Sequence, residues 1–322
     1  MEYRPLGRTG IKVSEIGYGA WGIGGQMWQG AVDAESMRAL HQAVDLGLNF
    51  IDTALVYGDG HSETLVGKFV KERKERIYVA SKIPPKNGAW PARKGSPIAD
   101  AFPSRHIIAS TERSLKNLGL ETLDVQQFHV WDDGWAGNDE WKRAIQKLKE
   151  EGKVRYFGIS INDHQPANAL RGAETGLIDT VQVIYNIFDQ SPEDQLFSLC
   201  REKNIGVIVR VPLDEGGLTG KINAGTTFPA GDWRNNYFRG ERKAEVSRHV
   251  EALKPLLGKE SATLPELALR FVLHHPAVST VIPGMRSAEN VRANCGLSDG
   301  RRLSDTLVAE LRKHAWARNF YD

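Results

Sequence analysis

Cysteine is scarce. The chain of 322 residues holds two, Cys200 and Cys295, in neither metal-ligand nor redox spacing. That excludes a disulfide framework and a cysteine-bound metal centre, and a reducing, cytoplasmic setting is expected. Long apolar runs are absent too. No stretch approaches the roughly 20 residues needed to span a bilayer, and the opening MEYRPLGRTG has no apolar signal core. Charge of one sign is also lacking: 42 basic and 40 acidic side chains leave a net +2. A balance this even gives no basic excess for general nucleic-acid or membrane binding, so the expected partner is a small molecule. No linker, repeat or low-complexity tract divides the sequence, and one domain over residues 1–322 is the expectation.

What is present is an alternation. Short β-branched runs at 13–19 (VSEIGYG), 49–54 (NFIDTA), 77–82 (IYVASK), 123–130 (LDVQQFHV), 154–160 (VRYFGIS), 178–186 (IDTVQVIYN), 205–211 (IGVIVRV) and 278–284 (VSTVIPG) alternate with helical patterns. The first helix is opened by Asp33 and stopped by Gly47. Near-continuous apolar strands suit a parallel sheet covered by helices. Eight β-then-α units in this length predict a closed (β/α)8 barrel. A small hairpin turning at Thr9 and Gly10 precedes it. Two long connections, 84–103 and 220–242, follow strands and so fall on the active-site face.

Two phosphate-binding patterns are decoys. Gly17, Gly19 and Gly22 match G-x-G-x-x-G, with Asp52 placed as a ribose-binding acid. A dinucleotide-binding Rossmann unit needs a helix starting inside that glycine turn, and here the helix waits until Asp33. EGGLTGKI has Glu215 where a P-loop has its first glycine and Ile222 where it needs Ser or Thr.

In a barrel the strand ends share one cavity. Here they supply Asp52, with Tyr57 just beyond, then Lys82, His129, Ser160, Gln182, Asn186 and Arg210. Singly, each has a plainer reading: a capping acid, a packing tyrosine, a solvated lysine, a core histidine. Together they define a chemistry. A tyrosine, with a pKa of about 10, is a poor acid at neutral pH. A lysine ammonium beside it favours the phenolate and lowers that pKa. An aspartate beyond the lysine keeps it charged and aimed, and a histidine can hydrogen-bond an incoming carbonyl oxygen. Tyr57 could then donate a proton to an oxygen gaining negative charge during reduction.

FIDTALVYGDGHSE, the Ser-Lys pair at 81–82, DVQQFHV, RYFGIS and VIPGMRSAENVRAN, in this order, resemble the signatures of the aldo-keto reductase family over nearly the whole chain. The resemblance implies a (β/α)8 barrel that binds NADP(H) without a Rossmann fold and reduces aldehydes and ketones, or oxidises the corresponding alcohols. It implies Tyr57 as general acid/base, with Lys82, Asp52 and His129 as partners. It implies that Ser160 and Gln182 hold the nicotinamide carboxamide, and that Pro212 and Leu213 lie along the cofactor. Where the family pattern has an asparagine after the serine, this chain has Ile161, with Asn162 one place later. Arg210 replaces a nicotinamide-stacking tyrosine, as in bacterial branches of the family; a guanidinium plane can stack in its place.

For the adenosine end, Gly284 permits close backbone approach, Ser287 has the look of a helix N-cap, and Arg286 could pair with a 2′-phosphate. Asn290 and Asn294 fall on the helix side where the family contacts adenosine. NADP(H) is favoured; many members carry lysine where this chain has Gly284, and its absence leaves NAD(H) open. In the 220–242 loop, Arg234 is expected to help hold the cofactor, and Trp21, Trp90 and Trp131 are expected to line a substrate pocket. No metal is expected. Two other functions remain: a nicotinamide-binding, redox-sensing regulatory subunit with slow turnover, and a lyase or isomerase barrel using Lys82 as a Schiff-base nucleophile. Natural substrate, reaction direction and oligomeric state stay open.

Overall fold

The computed structural model of the chain describes residues 1–161, 164–316 and 318. Two short strands, β1 (Tyr3–Pro5) and β2 (Lys12–Ser14), pair antiparallel. Eight more follow: β3 (Tyr18–Gly19), β4 (Phe50–Asp52), β5 (Tyr78–Ile83), β6 (Leu123–Phe128), β7 (Val154–Ser160), β8 (Thr180–Ile184), β9 (Gly206–Arg210) and β10 (Val278–Val281). These eight run parallel, each beside its predecessor. The last returns to the first: bridges join Ile16 to Val281 and Gly19 to Gly284, and Gly17 N donates to Val281 O at 2.8 Å. The fold is the predicted (β/α)8 barrel.

Helices link the strands, and their ends follow from local chemistry. The helix Asp139–Glu150 is capped by the Asn138 side chain, which accepts from Glu140 N at 2.8 Å. Ser104–Leu118 ends where Gly119 turns left-handed at φ 59°. After the 220–242 connection come the helices Arg242–Leu253 and Leu264–His274, the second capped by Thr263.

Side-chain alternation along the strands separates two cores. Phe50, Ala80, Val125 and Ile208 turn inward and meet Leu6, Ile11 and Val13, so the hairpin seals the barrel floor. Their neighbours Ile51, Val79, Val207 and Val209 turn outward and pack in the larger apolar layer that includes helix residues such as Leu40, Phe69 and Leu148. With the floor sealed, the opposite end, where the strands finish, is the end left for function.

Three details differ from the sequence pattern. Residues 13–19 do not form one strand. The chain leaves the hairpin at Ser14 and re-enters the sheet at Tyr18, because the fully buried Glu15 between them is drawn to Arg4 (2.8 Å) and Arg302 (2.7 Å). The hairpin connection is broader than a two-residue turn: Gly7–Thr9 forms a 3-10 turn before Gly10, at φ 72°. The C-terminal helix Asp305–Arg312 was not anticipated. No helix among the described residues is long and apolar enough to cross a membrane.

Barrel closure leaves no room at Gly19, where an added Cβ would lie 2.5 Å from Ile282 O. Gly19→Ala is therefore expected to destabilise the fold by about 1–3 kcal/mol, the usual overpacking cost. Urea unfolding of the two proteins checks this, and equal midpoints would contradict it.

Candidate active site

The alternation that builds the floor also builds the site. Two residues beyond inward-facing Phe50, Ala80, Val125, Thr180 and Ile208 stand Asp52, Lys82, Gln127, Gln182 and Arg210, on the same face and nearer the mouth. Register aligns them: Lys82 lies opposite Gln127, and Ser160 opposite Gln182.

At the centre is Lys82, fully buried. Its ammonium donates to Asp52 Oδ1, to Thr53 O at 2.8 Å and to the Tyr57 hydroxyl at 3.3 Å. Asp52 Oδ2 accepts from Gln182 at 2.8 Å and from Gln127 at 3.2 Å. Tyr57 is carried by a tight loop, and an added Cβ at Gly58 (φ 67°) would collide with the carbonyl of Gly24, so the two loops can touch there only through glycine. His129 follows β6, and its backbone N–H donates to Ile83 O at 2.9 Å. Its ring meets that of Tyr57 edge-on, with centroids 5.6 Å apart. The four residues expected to act together do lie together.

The electrostatics refine one expectation. Lys82 does pull the Tyr57 pKa down, but burial outweighs it, and the phenol lies above its ordinary value. The reason is that a phenolate loses more by leaving water than it regains from a lysine already paired with Asp52. For Lys82, burial would lower the pKa, but Asp52 and Tyr57 overcome it; the net shift is upward and the ammonium stays charged. Burial, with the charges of Lys82 and Arg210, holds His129 well below the usual histidine range, so its imidazole is neutral at physiological pH.

Around the quartet, three buried polar atoms have no hydrogen-bond partner among the described residues: Ser160 Oγ, His129 Nδ1 and Arg210 Nε. Arg210 is tied by one guanidinium nitrogen to Ile161 O at 3.0 Å. Unpartnered buried donors and acceptors are costly unless a ligand meets them, so this end suits a polar ring substituent such as a carboxamide. Gln182 fits that role less directly, because its amide nitrogen is turned towards Asp52 and Gln127. Asn162 lies outside the described residues.

Pro212 is buried and Leu213 half-buried, both on the loop following β9. Gly284 is exposed, with open space where a Cβ would stand. Ser287 caps the helix Ala288–Cys295, accepting from Asn290 N at 3.2 Å. Asn290 is exposed and Asn294 buried. Arg286 donates to Gln29 O at 2.8 Å. Arg234 is gripped by both oxygens of Asp232, each at 2.8 Å, and its guanidinium lies over the rings of Trp28 and Phe228, each 4.6 Å away.

The tryptophans divide. Trp90, 39% exposed, sets its ring edge-on to His129 at 4.6 Å. Trp21 lies 6.2 Å from the Tyr57 ring and 5.4 Å from Trp28. Both border the mouth. Trp131 does not line a pocket. Its ring is buried against Phe128, Trp135 and Trp141, and its N–H donates to Asp133 at 3.1 Å. Alternation would have aimed Trp131 inward with Gln127 and His129, but β6 ends at Phe128 and the chain turns there, which carries the ring into the apolar outer layer. The sequence reading passed over Gln127, although its place two residues before His129 puts it on the same face. It gave no role to Asp232, which stands two residues before Arg234, and it passed over Trp28, which only the folded loops bring to the mouth.

Comparison with known proteins agrees with this architecture. The profile described as "Aldo/keto reductase family" matches residues 15–315. The NADH-specific methylglyoxal reductase of Escherichia coli (strain K12) is 32% identical, over 98% of this chain and 99% of that protein. A probable voltage-gated potassium channel subunit beta of Arabidopsis thaliana is 31% identical, over 96% of this chain and 95% of that protein. The glycerol dehydrogenase AKR11B4 from Gluconobacter oxydans superposes with a TM-score of 0.79 at 29% identity, covering 98% of this chain and 97% of that structure. With a barrel of this topology and a profile match over most of its length, the chain belongs to the aldo/keto reductase family, whose members are oxidoreductases that use nicotinamide cofactors.

Proposed function

We propose that this chain reduces aldehydes or ketones, or oxidises the corresponding alcohols, with NADP(H) as the favoured cofactor and Tyr57 as the proton donor. The observation that carries the proposal is Lys82, which contacts both Asp52 and the Tyr57 hydroxyl beside His129 at the barrel mouth. The bound nicotinamide supplies hydride at C4. The protein's residues do the rest. Tyr57, kept protonated by burial, offers its hydroxyl hydrogen to the carbonyl oxygen. Lys82 stabilises the phenolate that forms, and Asp52 holds Lys82 in place. His129, neutral, presents an N–H to the same oxygen without competing for the proton. Ser160 and Arg210 bring buried unpartnered atoms to the ring end of the cofactor.

At the adenosine end, Arg286 and the Ser287-capped helix support the 2′-phosphate of NADP(H). The E. coli relative named as NADH-specific makes NADH an equal arm of any test. Arg234 reaches the mouth already paired with Asp232, so its role is to pin the 220–242 loop to Trp28 beside the cofactor.

Two outcomes are expected. NADPH oxidation with a panel of aldehydes and ketones, and NADH alongside, should show turnover. Tyr57→Phe should lower it by roughly 10²–10⁴-fold while dinucleotide binding is kept. Retained binding with no turnover on any carbonyl would point instead to a regulatory subunit. Borohydride trapping of a substrate on Lys82 would favour the lyase. The second outcome concerns His129. Its ring resonances should stay constant between about pH 6 and 8 in an NMR titration, because a base with a lowered pKa is already neutral where ordinary histidine is half-protonated, near 6.5. A midpoint near that ordinary value would remove the neutral donor from the scheme.

A further inference from the structure

The loop following β9, which carries Pro212 and Leu213, has an unfavourable backbone. Among the described residues, five other than glycine have positive φ, and three of them are here: Val211 (54°), Asp214 (49°) and Glu215 (52°). For a β-branched residue such as Val211 this is a true steric outlier, and it persists only where the surroundings over-determine it.

Two sets of contacts supply that constraint. Asp214 Oδ1 accepts from the Tyr237 hydroxyl at 2.5 Å and from Arg242 at 3.0 Å, with all three side chains buried. The Val211 carbonyl accepts from the Asn186 side chain at 2.9 Å. Both sets lead to the same residue. The Arg242 guanidinium lies over the Trp316 ring at 5.1 Å. The Trp316 ring meets that of Phe188 edge-on, with centroids 5.5 Å apart, beside a backbone bond from Trp316 N to Phe188 O at 2.7 Å, and Phe188 N donates to Asn186 Oδ1 at 2.9 Å. The Trp316 ring is stacked on His249, with centroids 4.0 Å apart and planes at 9°. Trp316 lies beyond the helix Asp305–Arg312, and its contacts are with Arg242, His249 and Phe188 rather than with the catalytic quartet.

The Asp214–Arg242 pair is poorly explained as a stabilising device. Asp214 Oδ2 and Arg242 Nε and Nη1 have no hydrogen-bond partner among the described residues. A buried ion pair satisfied only in part returns little stability over an apolar packing of the same volume. What it does is fix position.

We infer that Trp316 is a positioning residue. It holds Arg242 on one side and Phe188 on the other, so that Asp214 and Val211 are clamped and the loop carrying Pro212 and Leu213 is preformed for the dinucleotide. The inference rests on the dinucleotide reading above, and its mechanical half can be tested without any cofactor.

The test uses the full chain with Trp316→Ala and Trp316→Phe. In cofactor-free protein, hydrogen exchange is followed at the Gly216 and Leu218 amides, which donate to Leu213 O at 2.9 and 3.0 Å. Trp316→Ala should lower their protection while amides of β5 and β6 keep theirs, and Trp316→Phe should restore it. Dinucleotide affinity, read by fluorescence titration, should fall roughly tenfold in Trp316→Ala, with KM for the carbonyl changing less than about twofold. Unchanged protection at Gly216 and Leu218 overturns the inference. So does a dinucleotide Kd in Trp316→Ala equal to that of the wild type, where the wild type binds one. A protection loss spread equally over the barrel strands would make Trp316 a general stabiliser and also overturn it. If the wild type binds neither dinucleotide, the functional proposal fails on its own, and the exchange data still decide whether the clamp exists.

Discussion

A lysine ammonium with no exposure to solvent, at the mouth of a sealed barrel, must be compensated locally or give up its charge. Asp52 supplies the compensation, and much of the site's arrangement follows from that pairing. The pair needs both partners on inward-facing positions of adjacent strands, which the parallel register of β4 and β5 provides. Asp52, taken by Lys82 on one oxygen, turns the other to Gln127 and Gln182, so four strands are tied by one carboxylate. Removing one member of such a pair typically costs about 3–5 kcal/mol, because the other is left charged and dry. The folded-state pKa of Lys82 is raised, so its contribution is present throughout neutral pH and is lost only as pH climbs above the ordinary lysine range.

That constraint also sets what Tyr57 can be. An ammonium already paired with Asp52 cannot turn a buried phenol into a phenolate at neutral pH, and burial wins. In the proposed reaction the arrangement would act as a protonated donor with its conjugate base pre-stabilised, suited to an oxygen that acquires charge only during reaction. His129 shares this logic: it is surrounded by the charges of Lys82 and Arg210, so a second positive charge there is disfavoured and the ring remains a neutral hydrogen-bond partner.

Strand-end chemistry was legible in the sequence because it obeys a period of two. Asp52, Lys82, His129, Ser160, Gln182 and Arg210 could be read off runs whose apolar members face alternately inward and outward. The same rule, applied one step further, reaches Gln127; it fails at Trp131, which lies past the end of β6 at Phe128, where the strand period no longer holds. Loop geometry was not legible. Whether Arg234 reaches the Trp28 ring, and whether Arg286 reaches the Gln29 carbonyl, depends on how loops far apart in sequence cross the mouth. The break between β2 and β3 was hidden for a similar reason: Glu15 pairs with Arg302, near the far end of the chain. The balance of burial against charge at Tyr57 was likewise outside the sequence, since it depends on how much water the folded loops exclude.

The mouth is assembled from loops that are expensive to hold in place, and the protein holds them by charge and ring contacts rather than by regular hydrogen-bonded structure. Segment 21–32 is tied to segment 228–239 by Trp233 N on Met27 O, by Asp232 on Gln29 N and by Arg234 over Trp28. The loop following β9 is tied to the outer helices by Asp214, Arg242 and Trp316. Such contacts can be made and broken without disturbing the barrel, because the strands close on themselves through their own backbone. On the proposed function, a rigid closed sheet fixes the reacting groups at its strand ends, while the separable loop ties govern what reaches them. This division lets one barrel keep its proton chemistry constant while substrate and cofactor selection vary through the loops.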